Sequence, residues 1–302
     1  MSIPIEVIVN AGSGSVAGAE TKRVLEELFA KNGVAAVVHV AHDALELIGF
    51  SRRASRSVTE TLVAAGGDGT IGAVAGEVFK TGKVLGVIPL GTLNNFSKDL
   101  GIPQNLEDAV RVIAENHIRK IDAAEVNGRI FINNSSIGLY PQLVRRREKR
   151  QRLGYGKWRA AFWAALRVLN ISPFFAARLE TGDERRIVRT PFVFVGNNAY
   201  EMELFRVGRR ARLDDGRLSV YFLHRSSRRG LLALALRALF GRLRQTKDFE
   251  EMETAEITIE TRKDRLLVAF DGEVEKLDTP LVYKIHPQSL RVIAPRPGET
   301  EN

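Results

Sequence analysis

Among its 302 residues the sequence has no cysteine, which excludes disulfides, cysteine-ligated zinc and a thiol nucleophile, and points to a reducing compartment. Histidine is scarce. His39, His42, His117, His224 and His286 are scattered without metal-ligand spacing and beside no candidate nucleophile, so they read as structural or surface residues. No uninterrupted apolar run reaches membrane-spanning length, and the opening stretch Ile3-Pro4-Ile5-Glu6-Val7-Ile8-Val9 follows no basic region. The expectation is a chain that is neither secreted nor integral to a membrane. No Gly-x-x-x-x-Gly-Lys-Ser/Thr run is present, which excludes a P-loop kinase, and Gly12, Gly14 and Gly18 miss the dinucleotide spacing. Internal repeats and low-complexity linkers are lacking too.

What is abundant is positive charge in two places. The net charge is +9, yet residues 145–167 alone carry nine Lys or Arg against Glu148, and residues 225–247 carry seven and no acid, so the remainder is net acidic. In 154–170 Trp158, Phe162, Trp163, Leu166 and Leu169 can share a helical face, and 228–244 is similarly amphipathic around Leu231, Leu232, Leu234, Leu239 and Phe240. Basic groups beside such faces suit adsorption on anionic lipid; packing of both faces on the rest of the protein explains the pattern equally well. Nucleic acid is disfavoured, since no nucleic-acid motif or aromatic platform appears.

The length suggests two domains. Up to about residue 120 the pattern alternates: strands at 5–9, 34–40, 61–65 and 84–88, helices at 17–31, 44–54 and about 71–79. This predicts an α/β domain with a parallel sheet and helices on both faces, whose ligands bind at the carboxyl ends of the strands. From 121 to 287 the texture is mostly β, with strands expected at 121–126, 129–132, 176–180, 189–195, 218–223, 255–260, 266–270 and 281–285. Asn127-Gly128 marks a type I′ hairpin turn. The run 289–294 could close either domain.

Three turns follow strands of the first domain: Asn10-Ala11-Gly12-Ser13-Gly14, Gly66-Gly67-Asp68-Gly69-Thr70 and Pro89-Leu90-Gly91-Thr92-Leu93-Asn94-Asn95. Unshielded amides at a helix start favour a phosphorylated ligand. The plainer reading of the second is a tight turn with Thr70 as helix N-cap. Far along the chain, Asp271-Gly272-Glu273 sets two carboxylates at a strand end, where they can take a hydroxyl proton or hold Mg²⁺; a plain hairpin turn is the alternative.

These segments, with Phe96 to Pro103, Phe131 to Leu139 and Leu213 to Leu218, make the chain resemble the diacylglycerol kinase catalytic family, which includes sphingosine kinases and bacterial lipid kinases, over nearly its whole length. The resemblance implies Mg²⁺-dependent phosphoryl transfer from ATP to a lipid hydroxyl, between an α/β nucleotide domain and a sandwich-like β domain. It implies nucleotide contacts at Asn10, Ser13, Gly14, Gly66, Gly67, Asp68, Gly69, Thr70, Gly91, Thr92 and Asn94. The proton acceptor falls to Asp271 or Glu273, with metal roles for Asp68, Glu273 and Asp215. Two positions depart from the family pattern. Ala11 stands where proline is usual, and Asn95 where Asp is common; the missing charge could be supplied by Asp99 or Asp122.

A peripheral cytoplasmic lipid kinase on the inner membrane face is therefore expected, its acceptor lipid undetermined and assembly as a homodimer left open. An NAD kinase, which shares the Gly-Gly-Asp-Gly-Thr run, and a degenerate protein that binds only nucleotide or membrane are the alternatives.

Overall fold

A computed structural model describes residues 3–11, 15–139, 141, 174–182, 184–200, 202–203, 206–207, 210, 212–223 and 249–296. The basic segments 145–170 and 225–247 lie outside the described residues.

The first half alternates as the periodicity requires: β1 (Ile5–Asn10), α1 (Ser15–Lys31), β2 (Ala36–Ala41), α2 (Ala44–Arg56), β3 (Thr61–Gly66), α3 (Asp68–Thr81), β4 (Val84–Pro89), α4 (Asn95–Asp99) and α5 (Leu106–Glu115). Every residue of β3 and β4 is buried, because both faces of a parallel sheet carry helices. Alternate side chains divide between two cores. Val7, Val9, Val63 and Ala65 pack with Leu25, Phe29 and Val110 of α1 and α5, whereas Ile8, Leu62 and Ala64 pack with Leu47 of α2 and with Ile71 and Val74 of α3. Local chemistry starts two of these helices: Asp43 accepts the Glu46 amide at 2.8 Å and Asn105 the Asp108 amide at 2.9 Å, each satisfying an orphan donor.

The second half is strand: β5 (Ile118–Val126), β6 (Arg129–Phe131), β7 (Asn134–Gly138), β8 (Phe175–Glu180), β9 (Arg185–Thr190), β10 (Phe192–Asn197), β11 (Met202–Glu203), β12 (Arg206–Val207), β13 (Leu218–Leu223), β14 (Phe249–Thr254), β15 (Glu256–Thr261), β16 (Arg265–Phe270), β17 (Glu273–Asp278) and β18 (Leu281–Ile293). Asn127 and Gly128 both take positive φ, as the type I′ turn between β5 and β6 demands. One expected strand, 189–195, is in fact two. Pro191 interrupts it, and the chain passes there from the larger sheet to the smaller, since proline has no N–H to give a ladder.

The larger sheet runs β2-β1-β3-β4-β18-β15-β8-β9, with β5 also pairing to β18 and β6; the smaller runs β14-β13-β10-β7-β16-β17. Between them Phe131, Val193, Val220, Phe222, Ile257, Val268 and Tyr283 form a third core. The long strand β18 joins the halves. Its end pairs parallel with β4 through Arg291 and Val292, and its start pairs antiparallel with β15. The run 289–294 thus closes the α/β sheet.

A bulge after His286 breaks β18, with Gln288 at φ 48. Asp122, fully buried, holds that bulge: its carboxylate accepts the amides of Gln288 and Gly216, each at 2.7 Å. Asp122→Ala should cost about 1–3 kcal/mol, the price of two charge-assisted bonds partly replaced by water. Urea unfolding checks this, and a change below about 0.5 kcal/mol, ordinary for a surface site, would remove the clamp role.

Candidate functional site

The second glycine turn sits where β3 feeds α3. Gly67 is the N-cap in extended conformation and Asp68 opens the helix, so Thr70 is inside the first turn and not its cap. Thr70 is buried, and its hydroxyl oxygen accepts from Asn10 Nδ2 at 3.0 Å, joining the first turn to the second. Ser13 and Gly14 lie outside the described residues.

The third turn packs directly on the second. A β-carbon on Gly91 would stand 2.5 Å from the Gly67 Cα, so no other residue fits. Asn94, at φ 52 and buried, turns its side chain inward: Oδ1 accepts the Gly91 amide at 2.9 Å and Nδ2 donates to Gln104 at 3.2 Å. It shapes the loop instead of lining an open cleft. Thr92, like Gly91, is exposed. Asp68 then accepts the amides of Asn95 and Phe96, at 3.1 and 3.0 Å, and so fastens the start of α4 to the start of α3.

Asp271-Gly272-Glu273 reaches the same place from the end of β16. It is a two-residue hairpin turn with Asp271 at φ 47 and Gly272 at φ 92, so the plain reading of this motif is also correct. Its position makes it more. A β-carbon on Gly72 of α3 would meet Asp271 Oδ2 at 2.8 Å, and one on Gly69 would lie 3.9 Å from Glu273 Cγ. The first turn of α3 and the late acidic turn are in contact across about 200 residues of chain.

The two carboxylates differ sharply. Asp271 is buried and accepts three amides, from Ile132 at 2.7 Å, Asn133 at 2.8 Å and Asn134 at 3.3 Å. Burial pushes its carboxyl up to about 7, against the pull of those amides and of Arg210. Glu273 is exposed beside the helix start.

Arg210 went unnoticed in the sequence. Its side chain is wholly buried: Nε donates to Asp99 at 2.8 Å, Nη1 to the carbonyls of Ile132 and Asn197 at 2.6 and 3.2 Å, and Nη2 to Asn133 Oδ1 at 2.9 Å. Burial works against its charge, but Tyr200 and Asp99 outweigh that and hold the guanidinium above its ordinary value. The only sequence signal was Asp99 itself. Asp99 is therefore neutralised by Arg210, and Asp122 by backbone amides, so neither is free to supply the charge missing at Asn95.

Among the described residues no three His, Asp or Glu form a cage for a metal. Asp215 stands apart, 3.0 Å from Arg212 Nε, beside a cavity with Arg217, Ser219 and Glu253. The donor set at the α3 start fits Mg²⁺ only as a guest shared with phosphate oxygens, with Asp68 and Glu273 as its carboxylates.

Two family models cover the chain: the diacylglycerol kinase catalytic domain over residues 4–126, and the YegS C-terminal NAD kinase beta sandwich-like domain over residues 140–294. A "Probable lipid kinase YegS-like" of Chromohalobacter salexigens is 28% identical over 61% of this chain and 60% of its own length. A diacylglycerol kinase of Staphylococcus epidermidis is 37% identical over 40% of each chain. Both matches span less than two thirds of the curated relative. In fold, the crystal structure of a diacylglycerol kinase from Bacillus anthracis superposes with a TM-score of 0.69 over 97% of both chains, at 20% identity. With an α/β half and a sandwich half each matched by its own model, the chain belongs to the diacylglycerol kinase catalytic-domain family, in the branch that carries the YegS-type second domain.

Proposed function

We propose that the protein is a lipid kinase that transfers the γ-phosphoryl group of ATP, with Mg²⁺, to a lipid hydroxyl of the diacylglycerol or sphingoid kind. The observation that carries this reading is the contact between the α3 start and the Asp271-Gly272-Glu273 turn. Phosphoryl transfer asks a protein for in-line placement, neutralised charge and a base near the attacking oxygen. Amides at Gly66 to Thr70 and the exposed loop at Gly91 and Thr92 receive phosphates, while Asn10 and Asn94 keep the loops in place. Asp68 and Glu273 would hold Mg²⁺ together with the nucleotide, and the ion would supply charge neutralisation. Glu273 takes the hydroxyl proton, since it is the carboxylate open to a substrate. Asp271 positions Ile132 to Asn134 against α3. A nucleotide-binding unit of residues 1–120 joined by 288–296, and a lipid-substrate unit of 121–287, belong to the same reading.

Glu273→Gln should lower turnover by about a hundredfold or more with unfolding unchanged, whereas Asp271→Asn should cost about 1–3 kcal/mol of stability by turning an amide toward backbone donors. Radiolabelled ATP with a lipid panel, and NAD as a further acceptor, reads the first; urea melts read the second. NAD is included because the second domain resembles the NAD kinase sandwich. Label in no lipid would defeat the proposal, and label in NAD would redirect it.

Asn95→Asp should lower the Mg²⁺ concentration for half-maximal activity by roughly three- to tenfold, because Asp99 and Asp122 are already committed. An unchanged Mg²⁺ titration would show that the site does not miss that charge.

Among the described residues no helix is long and apolar enough to cross a membrane. Membrane visiting is assigned to the basic segments 145–170 and 225–247, which lie outside the described residues. Flotation with vesicles should then rise with anionic lipid content and fall with salt; indifference to both would remove this assignment.

A further inference from the structure

Beyond the C-terminal end of α4, lined by no residue of the three glycine turns, lies a cavity of about 360 Å³, within the range of small-ligand sites. Lys98, His117, Arg119 and Arg296 line it, and the Asp99–Arg210 pair closes its floor. Among the described residues Asp99 is its only lining carboxylate, and Arg210 already neutralises it. Four cationic side chains, set against Asp99 and against the Asp214 that pairs with Arg119, leave a surplus of two positive charges. Such a surplus in one concavity favours the entry of an anion.

The donors are disposed for one. Lys98 spends a single N–H on the Leu93 carbonyl, at 2.6 Å, and keeps the others. Arg119 pairs with Asp214 through Nη2 at 3.6 Å, longer than a hydrogen bond, and is otherwise open on its remaining N–H groups. Arg296 is exposed and has no ion-pair partner among the described residues. His117 donates its Nδ1–H to the Ala294 carbonyl at 3.2 Å, so its ring borders the cavity and reports on what enters it. Arg210, by contrast, has spent four of its five N–H groups and contributes mainly charge.

We infer that this cavity is a binding site for a phosphomonoester dianion, separate from the nucleotide turns. The arginine forks suit phosphate oxygens and a lysine adds a donor of different reach, with the His117 ring beside them. The inference stands on the cavity's own charge and geometry and does not depend on the proposed kinase activity. The shared chemistry could be carried by a free phosphate compound or by a lipid headgroup. Both ends of α4 are held by charge, its start by Asp68 and its last residue by Arg210, so a dianion placed here bears on the helix that Asp68 also holds.

Histidine ring NMR tests this on the full chain at constant pH and ionic strength, with ADP present to fill any nucleotide site. The probes are inorganic phosphate, dihexanoyl phosphatidic acid below its micellar concentration, and dihexanoyl phosphatidylcholine as the uncharged control. The expected result is a saturable shift of the His117 ring signals with phosphate, half complete at about 1–10 mM, the weak end of specific binding, with no response to phosphatidylcholine. The double variant Arg119→Ala/Arg296→Ala should weaken it by about tenfold or more while leaving the fold's spectrum intact. Saturation by both phosphate and phosphatidic acid marks a site open to headgroups; saturation by phosphate alone marks a soluble ligand. A shift that grows linearly, that chloride reproduces, or that survives in the double variant overturns the assignment.

Discussion

Arg210 holds the candidate site together. One guanidinium, with no exposure, ties Asp99 on α4 of the first half to Ile132, Asn133 and Asn197 of the second. Taking such a charge out of water costs several kcal/mol, and a single carboxylate seldom repays it. Here the remaining N–H groups meet two carbonyls and an amide oxygen, and the rings of Phe96 and Tyr200 lie 5.9 and 5.4 Å from the guanidinium carbon. The arrangement gains uniqueness more than net stability: few other placements of the halves would satisfy so many directional partners at once.

From that centre the constraints pass outward by backbone amides held on carboxylates. Asp99 ends the helix whose first amides are bound by Asp68; Asn133, on Arg210, lends its amide to Asp271; Asn197 donates to the carbonyl of Asp122, which clamps the β18 bulge. Three carboxylates, Asp68, Asp122 and Asp271, therefore act mainly as acceptors for main-chain amides. This explains why the site presents few free acids despite an acid-rich set of motifs. Glu273 is the carboxylate at the α3 start that remains exposed.

Much of this was legible in the sequence, for a physical reason. Strand and helix periods in the first half are local properties, and the rule that ligands gather at the carboxyl ends of parallel strands brought the three turns to one side before any coordinates. The Asn127-Gly128 hairpin followed from the same local chemistry. What could not be read was which way a polar side chain points. Asn94 looks like a ligand residue and is a loop fastener; Asp271 looks like a base and is engaged by three amides. Arg210 was hidden because its partners, two main-chain carbonyls and two side chains, come from residues 13 to 111 positions away. The join of β18 to β4 was one of two placements open to the run 289–294, and it rests on a parallel register of two residues.

The glycines of Gly66 to Thr70 invite an explanation by phosphate alone, and that explanation is incomplete. Continued by two more positions to Gly72, the run gives α3 a face of bare backbone, and on that face sits the Asp271 turn. A methyl at Gly72 would strike the carboxylate at 2.8 Å, and moving that carboxylate would strip amides from Ile132 to Asn134, beside Arg210. Phosphate binding does not require glycine at 72, since helix amides beyond the first turn are already paired. Close approach of the two halves does require it. The motif thus answers two demands at once: its first glycines leave amides open at the helix start, and its later ones let the second half come near enough to set Glu273 beside them.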